Sequence, residues 1–222
     1  MAFTFPLALA DFFDGLRLTS LSFALGENME SSQTGGGEVL TNTTGPRLWH
    51  GGIQIAAHTV QDMDQVISKI DLLRQPGRSF FIGDPYHANG AADPDGSILG
   101  GNTVMVDKVR SNNRELKLKG APHGLRVSSG DHISVAHGNS PRVYDYFRVV
   151  QGSKFSSTQS STATGWIEVQ PFIPTGITTG AIVRLAKPRL QAVYVPDTFS
   201  GGLRKPGLLA DGVRFKWRQT LR

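Results

Sequence analysis

The chain has 222 residues, a charged fraction of 18% against a usual value of about 25% and a formal net charge of +5, with Gly at 26 and Pro at 12. That mixture suits a turn-rich β protein with room for one large domain or two small ones. Cysteine is absent, which excludes disulfides, Cys-ligated zinc, iron–sulfur clusters and a thiol nucleophile. In chain order, Met1–Ala10 is apolar but has no Lys or Arg ahead of it and meets Asp11 and Asp14 at once, so it reads as part of the fold and not as a secretory signal. Within it, Pro6–Phe13 is expected to form a short helical turn with Pro6 at the first position. Leu21, Phe23 and Leu25 form one face of a strand, and Trp49, Gly51, Ile53, Ile55 and Ala57 one face of another. Between them, Gly26–Pro46 is rich in Gly, Ser, Thr and Asn, the composition of a long hairpin or loop.

From Val60 to about Arg74 the pattern changes period. Val60, Met63, Val66, Ile67, Ile70 and Leu73 recur at three- and four-residue steps, which puts them on one stripe of an α-helix. Thr59 with Asp62 three residues on makes a variant of the capping box, and Pro76-Gly77 ends the helix. Alternation then resumes. Strands are expected at Ser79–Ile82, Thr103–Val109, Glu115–Leu118, His132–Val135, Arg142–Val150, Trp166–Val169, Ala181–Leu185, Ala192–Val195 and Val213–Trp217, spaced as in a sandwich or barrel.

Charge is uneven along the chain. Residues 1–90 carry 5 Lys and Arg against 9 Asp and Glu, residues 91–187 carry 11 against 7, and residues 188–222 carry 7 against 2. The sign changes at Gly90–Gly101, where Gly, Pro and Asp accumulate, and a second boundary falls near Pro188. The expected architecture is mainly β: a sandwich domain with one packed helix, built from 1–90 and 188–222, interrupted by an inserted small barrel or sandwich module at 91–187. The basic residues are scattered and not clustered with aromatics, which points to a solvated surface and charge-complementary contacts more than to nucleic-acid binding.

Catalytic chemistry finds little support. No G-x-S-x-G pentad is present. Ser128, Asp131 and His132 are close in sequence, but a triad is a matter of geometry, which adjacency does not supply. Of the histidines His50, His58, His87, His123, His132 and His137, none makes H-x-x-x-H on a helix; His50 and His58 stand about 26 Å apart on a continuous strand. Asp93-Pro94-Asp95-Gly96 starts like a calcium loop, yet Asn102 stands where the bidentate acid belongs, and a Pro-Asp-Gly turn explains the same residues. Gly35-Gly36-Gly37 lacks the Lys-Ser/Thr of a phosphate loop. Trp49, Trp166 and Trp217 lie in alternating strands, where burial is the common fate. The expectation is therefore a protein without enzymatic activity, cofactor or metal.

Trp49-His50-Gly51-Gly52-Ile53, a capped helix ending in Leu72-Leu73, and Pro76-Gly77-Arg78-Ser79-Phe80-Phe81-Ile82-Gly83-Asp84-Pro85 resemble the N-terminal domain of distal tail proteins of long-tailed bacteriophages. AADPDGSILGG at 91–101 and the closing Phe215-Lys216-Trp217-Arg218 are similar to relatives in phages and gene transfer agents of alphaproteobacteria. The resemblance implies a virion component made in the host cytoplasm: a hexameric ring at the distal end of the tail, joining the tail tube protein to the tail hub or tip protein. The tape measure protein is a further partner, and DNA passes only in transit through the lumen. On that reading Gly26–Pro46 contacts neighbouring subunits through Asn28, Met29, Glu30, Gly35, Gly36, Gly37 and Glu38. The alternative is a carbohydrate-binding or host-recognition module, with Trp166 against the glycan.

Overall fold

The structure is a computed structural model and describes residues 3–56, 58–138, 142–157, 162–205 and 209–221; Met1, Ala2 and Ala57 of the expectations above lie outside them. It is mainly β, 43% strand and 10% helical, with a single helix, a closed six-stranded barrel and further sheets. The chain divides into two compact units. One comprises Met1–Asp14, Ser79–Ala192 and Thr220–Arg222, the other Gly15–Arg78 and Val193–Gln219. Residues 79–90 and 188–192 thus group with the unit that holds 91–187.

In the second unit the helix spans Val60–Leu73 and starts as its sequence dictates. The Thr59 hydroxyl accepts from the Asp62 N–H at 3.2 Å and donates to the Asp62 carboxylate at 2.7 Å, which satisfies one of the free N–H groups of the first turn. Its stripe buries Met63, Ile70 and Leu73 and packs against strand Leu209–Gln219. That strand pairs antiparallel with Trp49–Ile55, in a register that sets Phe215 opposite Ile53, and Trp217 opposite Gly51. Because side chains alternate, Trp49, Ile53, Ile55, Val213, Phe215 and Trp217 all fall on the buried face. The rings of Phe23 and Trp217 lie 4.6 Å apart. Leu18–Leu21 and Ala24–Leu25 pair with the other edge of Trp49–Ile55, and Ser200–Lys205 pairs with Leu209–Gln219.

In the first unit six antiparallel strands close on themselves: Glu115–Lys119, Ile167–Gln170, Val143–Gln151, His132–His137, Ile182–Arg184 and Val104–Val109, which pairs back to Glu115–Lys119. Closure leaves the barrel without a free edge. Its interior follows from alternation: Val104 and Val106, Leu116 and Leu118, Ile133 and Val135, Phe147 and Val149, Ile167 and Val169 are buried at steps of two on five strands, and the short strand Ile182–Arg184 adds Val183. Each such side chain contributes about 1.5–3 kcal/mol of hydrophobic stabilisation. Phe80–Ile82 pairs with the first residues of Leu190–Tyr194 in the same unit.

Two sequence expectations change. Pro6–Phe13 forms no α-helix: the Leu7 backbone bridges to the strand at Phe80, donating to Ser79 and accepting from Phe81, both at 2.9 Å. Those sheet bonds use the Leu7 peptide groups that a helix needs; beyond them the chain makes single turns, with the Asp11 N–H on the Ala8 carbonyl at 3.1 Å and the Phe12 N–H on the Leu9 carbonyl at 3.3 Å, before the 3₁₀ turn Phe13–Gly15. Strands also occur at Ser153–Ser157, Thr162–Thr164 and Ser200–Lys205, where Ser, Thr, Gly and Lys mask any apolar alternation.

The adjacent glycines of Trp49–Ile55 have opposite requirements. A Cβ on Gly51 would sit 1.7 Å from the Ser22 carbonyl oxygen and 3.0 Å from the Trp217 ring, whereas one on Gly52 would meet nothing closer than 3.7 Å. Ser22 is drawn in because its N–H donates to the Gly52 carbonyl at 2.9 Å and its hydroxyl accepts from the Gly52 N–H at 2.7 Å. Gly51→Ala is expected to destabilise the protein by about 3 kcal/mol or more through overpacking, and Gly52→Ala to stay within about 0.5 kcal/mol of the parent. Urea midpoints for the two variants check this; equal midpoints would contradict the packing described.

Candidate functional site

The segment expected to contact neighbouring subunits is a two-stranded hairpin. Met29–Gln33 pairs with Val39–Thr43, and all ten strand residues are exposed. The turn is tied by the Thr34 N–H to the Glu38 carbonyl and by Gly37 N–H to the Thr34 carbonyl, each at 2.9 Å. Gly37 has φ of 85°, which favours glycine, while at the tip a Cβ on Gly35 would meet open space and one on Gly36 only an ordinary contact with the Thr34 hydroxyl. At the base the Asn28 side-chain amide donates to the Pro46 carbonyl. Met29, Val39 and Leu40 are 48%, 61% and 53% exposed, an apolar cost that a free hairpin in water does not recover. By register, Met29 and Val39 lie on one face; Glu30, Leu40 and Glu38 lie on the other.

Trp166, the candidate glycan platform, is half-buried. The Arg110 guanidinium carbon lies 5.4 Å and the Lys117 ammonium 4.9 Å from its ring centre. Arg110 is held in turn by both Glu115 carboxylate oxygens, at 3.0 and 2.7 Å. A sugar stacking on this indole competes with two cation–π contacts.

A polar cluster on the outer wall of the barrel escapes a linear reading. His132 and Arg148 are opposite one another on neighbouring barrel strands, with Tyr146 two residues before Arg148, so all three face out of the barrel while Ile133, Phe147 and Val149 face in. The 3₁₀ turn Pro85–His87 brings Asp84 and His87 to them. Asp84 caps that turn through the Tyr86 N–H at 3.0 Å and holds His87 Nδ1 at 2.9 Å. The His87 and His132 rings are stacked 4.0 Å apart. Arg148 Nε donates to His132 Nε2 at 3.1 Å; a neutral imidazole then carries its proton on Nδ1, which donates to the Tyr146 hydroxyl at 2.9 Å. Burial, with the His87 and Arg148 charges beside it, pushes His132 down from 6.5 to about 4. Burial also raises the Tyr146 phenol. Asp84 and His87 stand 45 or more residues before His132 in sequence, and the D-x-x-H spacing behind a strand is the one signal that could have flagged them.

Among the described residues, Asp84, His87 and His132 form a group with ligand atoms within 4.8 Å of one another. The hydrogen bonding argues against a metal there. A cation on His132 Nδ1 would force the ring proton onto Nε2, directly against the Arg148 N–H. The other sequence candidates are tied to backbone. Asp131 accepts from the Ser128 and Ala91 N–H groups at 2.7 and 2.8 Å, so it does not orient His132 toward Ser128. Asp93 accepts from the Ile98 and Leu99 N–H groups at 3.0 and 2.8 Å, which folds its loop from within. Hydrogen bonds from the Ser97 hydroxyl and N–H keep Asp95 below the usual carboxylate range.

No protein-family model and no curated protein matches this chain. No helix among the described residues is long and apolar enough to cross a membrane.

The His132 site makes an acid-lability prediction. A folded pKa below the unfolded value means that the unfolded chain binds the proton first. The stabilisation is therefore complete above about pH 6.5 and is lost as pH falls toward about 4, by about 3 kcal/mol in total. Urea unfolding at pH 7, 5.5 and 4.5 is expected to show this loss, with a shallower pH slope in His132→Gln. An unchanged slope in that variant would remove His132 as the cause.

Proposed function

We propose that this protein is a structural ring component of a virion, a distal tail adaptor that joins the tail tube to the tail hub or tip and leaves a lumen for DNA. The observation that carries the reading is the hairpin Met29–Thr43. Its strand residues are all exposed and it displays Met29, Val39 and Leu40 to solvent, whereas a two-stranded hairpin needs a further surface to be stable. Docking on a neighbouring subunit supplies that surface, and repetition of one heterologous contact closes a ring when its rotation closes. The resemblance of the Trp49–Pro85 and Phe215–Arg218 segments to distal tail proteins supports the same reading and adds the hexamer, the tube and hub partners and the location in the tail. A glycan-binding role for Trp166 is the weaker reading, because Arg110 and Lys117 already engage the ring.

Replacing residues 29–43 by Asn-Gly closes the chain at the Asn28–Thr44 pair, where the Thr44 N–H donates to the Asn28 carbonyl at 3.0 Å. The shortened protein is expected to keep its thermal midpoint within about 3 °C, since the hairpin buries none of its strand residues, and to lose ring formation. Negative-stain imaging of the parent, alone and with tail tube protein, is expected to show hollow six-fold rings. A parent that stays monomeric in both samples refutes the assignment; rings from the shortened protein refute the role of the hairpin.

A further inference from the structure

The outer face of strand Leu209–Gln219 carries Arg214, Lys216 and Arg218, all exposed, at steps of two residues. None of the three is ion-paired among the described residues. By register, Gln54 and Ser20 continue the row of Arg214, Gly52 continues the row of Lys216, and His50 continues the row of Arg218. Together with Ser22, Thr198 and Asp197 at the rim, the first two rows line an open groove of about 570 Å³ with the bare backbone of Gly52 in its floor. Nothing inside the protomer calls for glycine at 52, since a Cβ there would make only ordinary contacts.

The hairpin of the same unit has the opposite character. Residues 26–46 contain Glu27, Glu30 and Glu38 and no Lys or Arg, and none of the three carboxylates is ion-paired among the described residues. Glu30 shares a hairpin face with Leu40, and Glu38 stands across from Thr34, four residues along from Glu30. At about 3.3 Å per residue, Glu30 and Glu38 are spaced about 13 Å along the hairpin, and Arg214 and Arg218 are spaced about 13 Å along their strand. An apolar Leu40 between the acids matches the Gly52 floor between the cations.

We infer that the hairpin of one copy of this chain docks along the Arg214–Lys216–Arg218 face of the next copy, with Glu30 and Glu38 on the outer cations and Leu40 over Gly52. This rests on the ring reading and names its contact. The contact is heterologous, so each copy gives its hairpin to one neighbour and its cationic face to the other. Opposite charges at matched spacing set direction and register, and their contribution weakens with salt.

The test is charge exchange, read by sedimentation velocity at low and high salt. Glu30→Lys with Glu38→Lys, and separately Arg214→Glu with Arg218→Glu, are each expected to lower self-association at least tenfold while thermal midpoints stay at the parental value. Arg214→Gln with Arg218→Gln gives a neutral variant of intermediate effect. An equimolar mixture of the two reversed proteins is expected to restore assembly, because each then meets the opposite sign on both sides. Assembly of either reversed protein at the parental level overturns the contact and leaves the ring reading standing, as does a mixture that fails to assemble while the parent does. A parent that never assembles removes both. If a single-stranded oligonucleotide binds the parent, is lost with Arg214→Glu and Arg218→Glu, and self-association is unchanged, the face is a nucleic-acid site and the inference fails.

Discussion

Pairing of Leu209–Gln219 with Trp49–Ile55 constrains most of what the second unit can do. Strand side chains alternate, so the register that buries Val213, Phe215 and Trp217 leaves Arg214, Lys216 and Arg218 no place but the outer face. A slip of one residue would put three cations into the core and three large apolar groups into water, which the desolvation cost of a charge forbids. Gly51 makes the register possible, since only a residue without a Cβ leaves room for both the Ser22 carbonyl and the Trp217 ring. The core therefore selects the surface, and the cationic stripe is in part a consequence of packing the aromatic face.

The first unit uses polar bonds where apolar burial is missing. The 3₁₀ turn Pro85–His87 buries none of its own residues, so hydrophobic contact does little to hold it against the outer wall of the barrel. The His87 ring packs on the His132 ring with centroids 4.0 Å apart, while hydrogen bonds orient each partner, His87 to Asp84 within the turn and His132 to Tyr146 and Arg148 on the barrel; a satisfied network in a dry setting fixes one geometry. Its cost is acid sensitivity, because His132 can keep Nε2 as an acceptor for Arg148 only while the ring is neutral. A second pair, His137 and Asp145, lies on the inward parity of the same two strands with Nε2 and Oδ2 2.6 Å apart. There burial raises the Asp145 carboxyl against the opposing pull of His137.

What was legible in the sequence was what repeats or is capped locally. The helix at Val60–Leu73 showed a 3.6-residue stripe together with Thr59 and Pro76-Gly77, and barrel strands such as Val104–Val109 and Val143–Gln151 showed apolar residues two apart. Pro6–Phe13 misled because its apolar content is real but its backbone is claimed by the strand at Phe80, a contact more than 70 residues away. The Ser- and Thr-rich strands were hidden because their neighbours pair with backbone, which carries no side-chain signature. The His132 cluster was hidden for a related reason: its members come from two regions joined only by the fold, and each alone reads as an ordinary surface or capping residue.

The segmental charges acquire a geometric meaning from these elements. The excess of acid before residue 90 includes Glu30 and Glu38 on an exposed hairpin, with Glu27 just before it, and the excess of base after residue 188 includes three cations aligned by one strand. Net charge alone says nothing of direction. An acidic hairpin and a cationic stripe do, because they match each other and neither matches itself. Self-complementary patches close a dimer at two copies, whereas a hairpin-to-stripe contact continues from subunit to subunit until the rotation per step brings the last copy back to the first. Under the inferred contact, the same alternation that packs Trp217 inward would thus favour a continuing head-to-tail assembly over a closed pair.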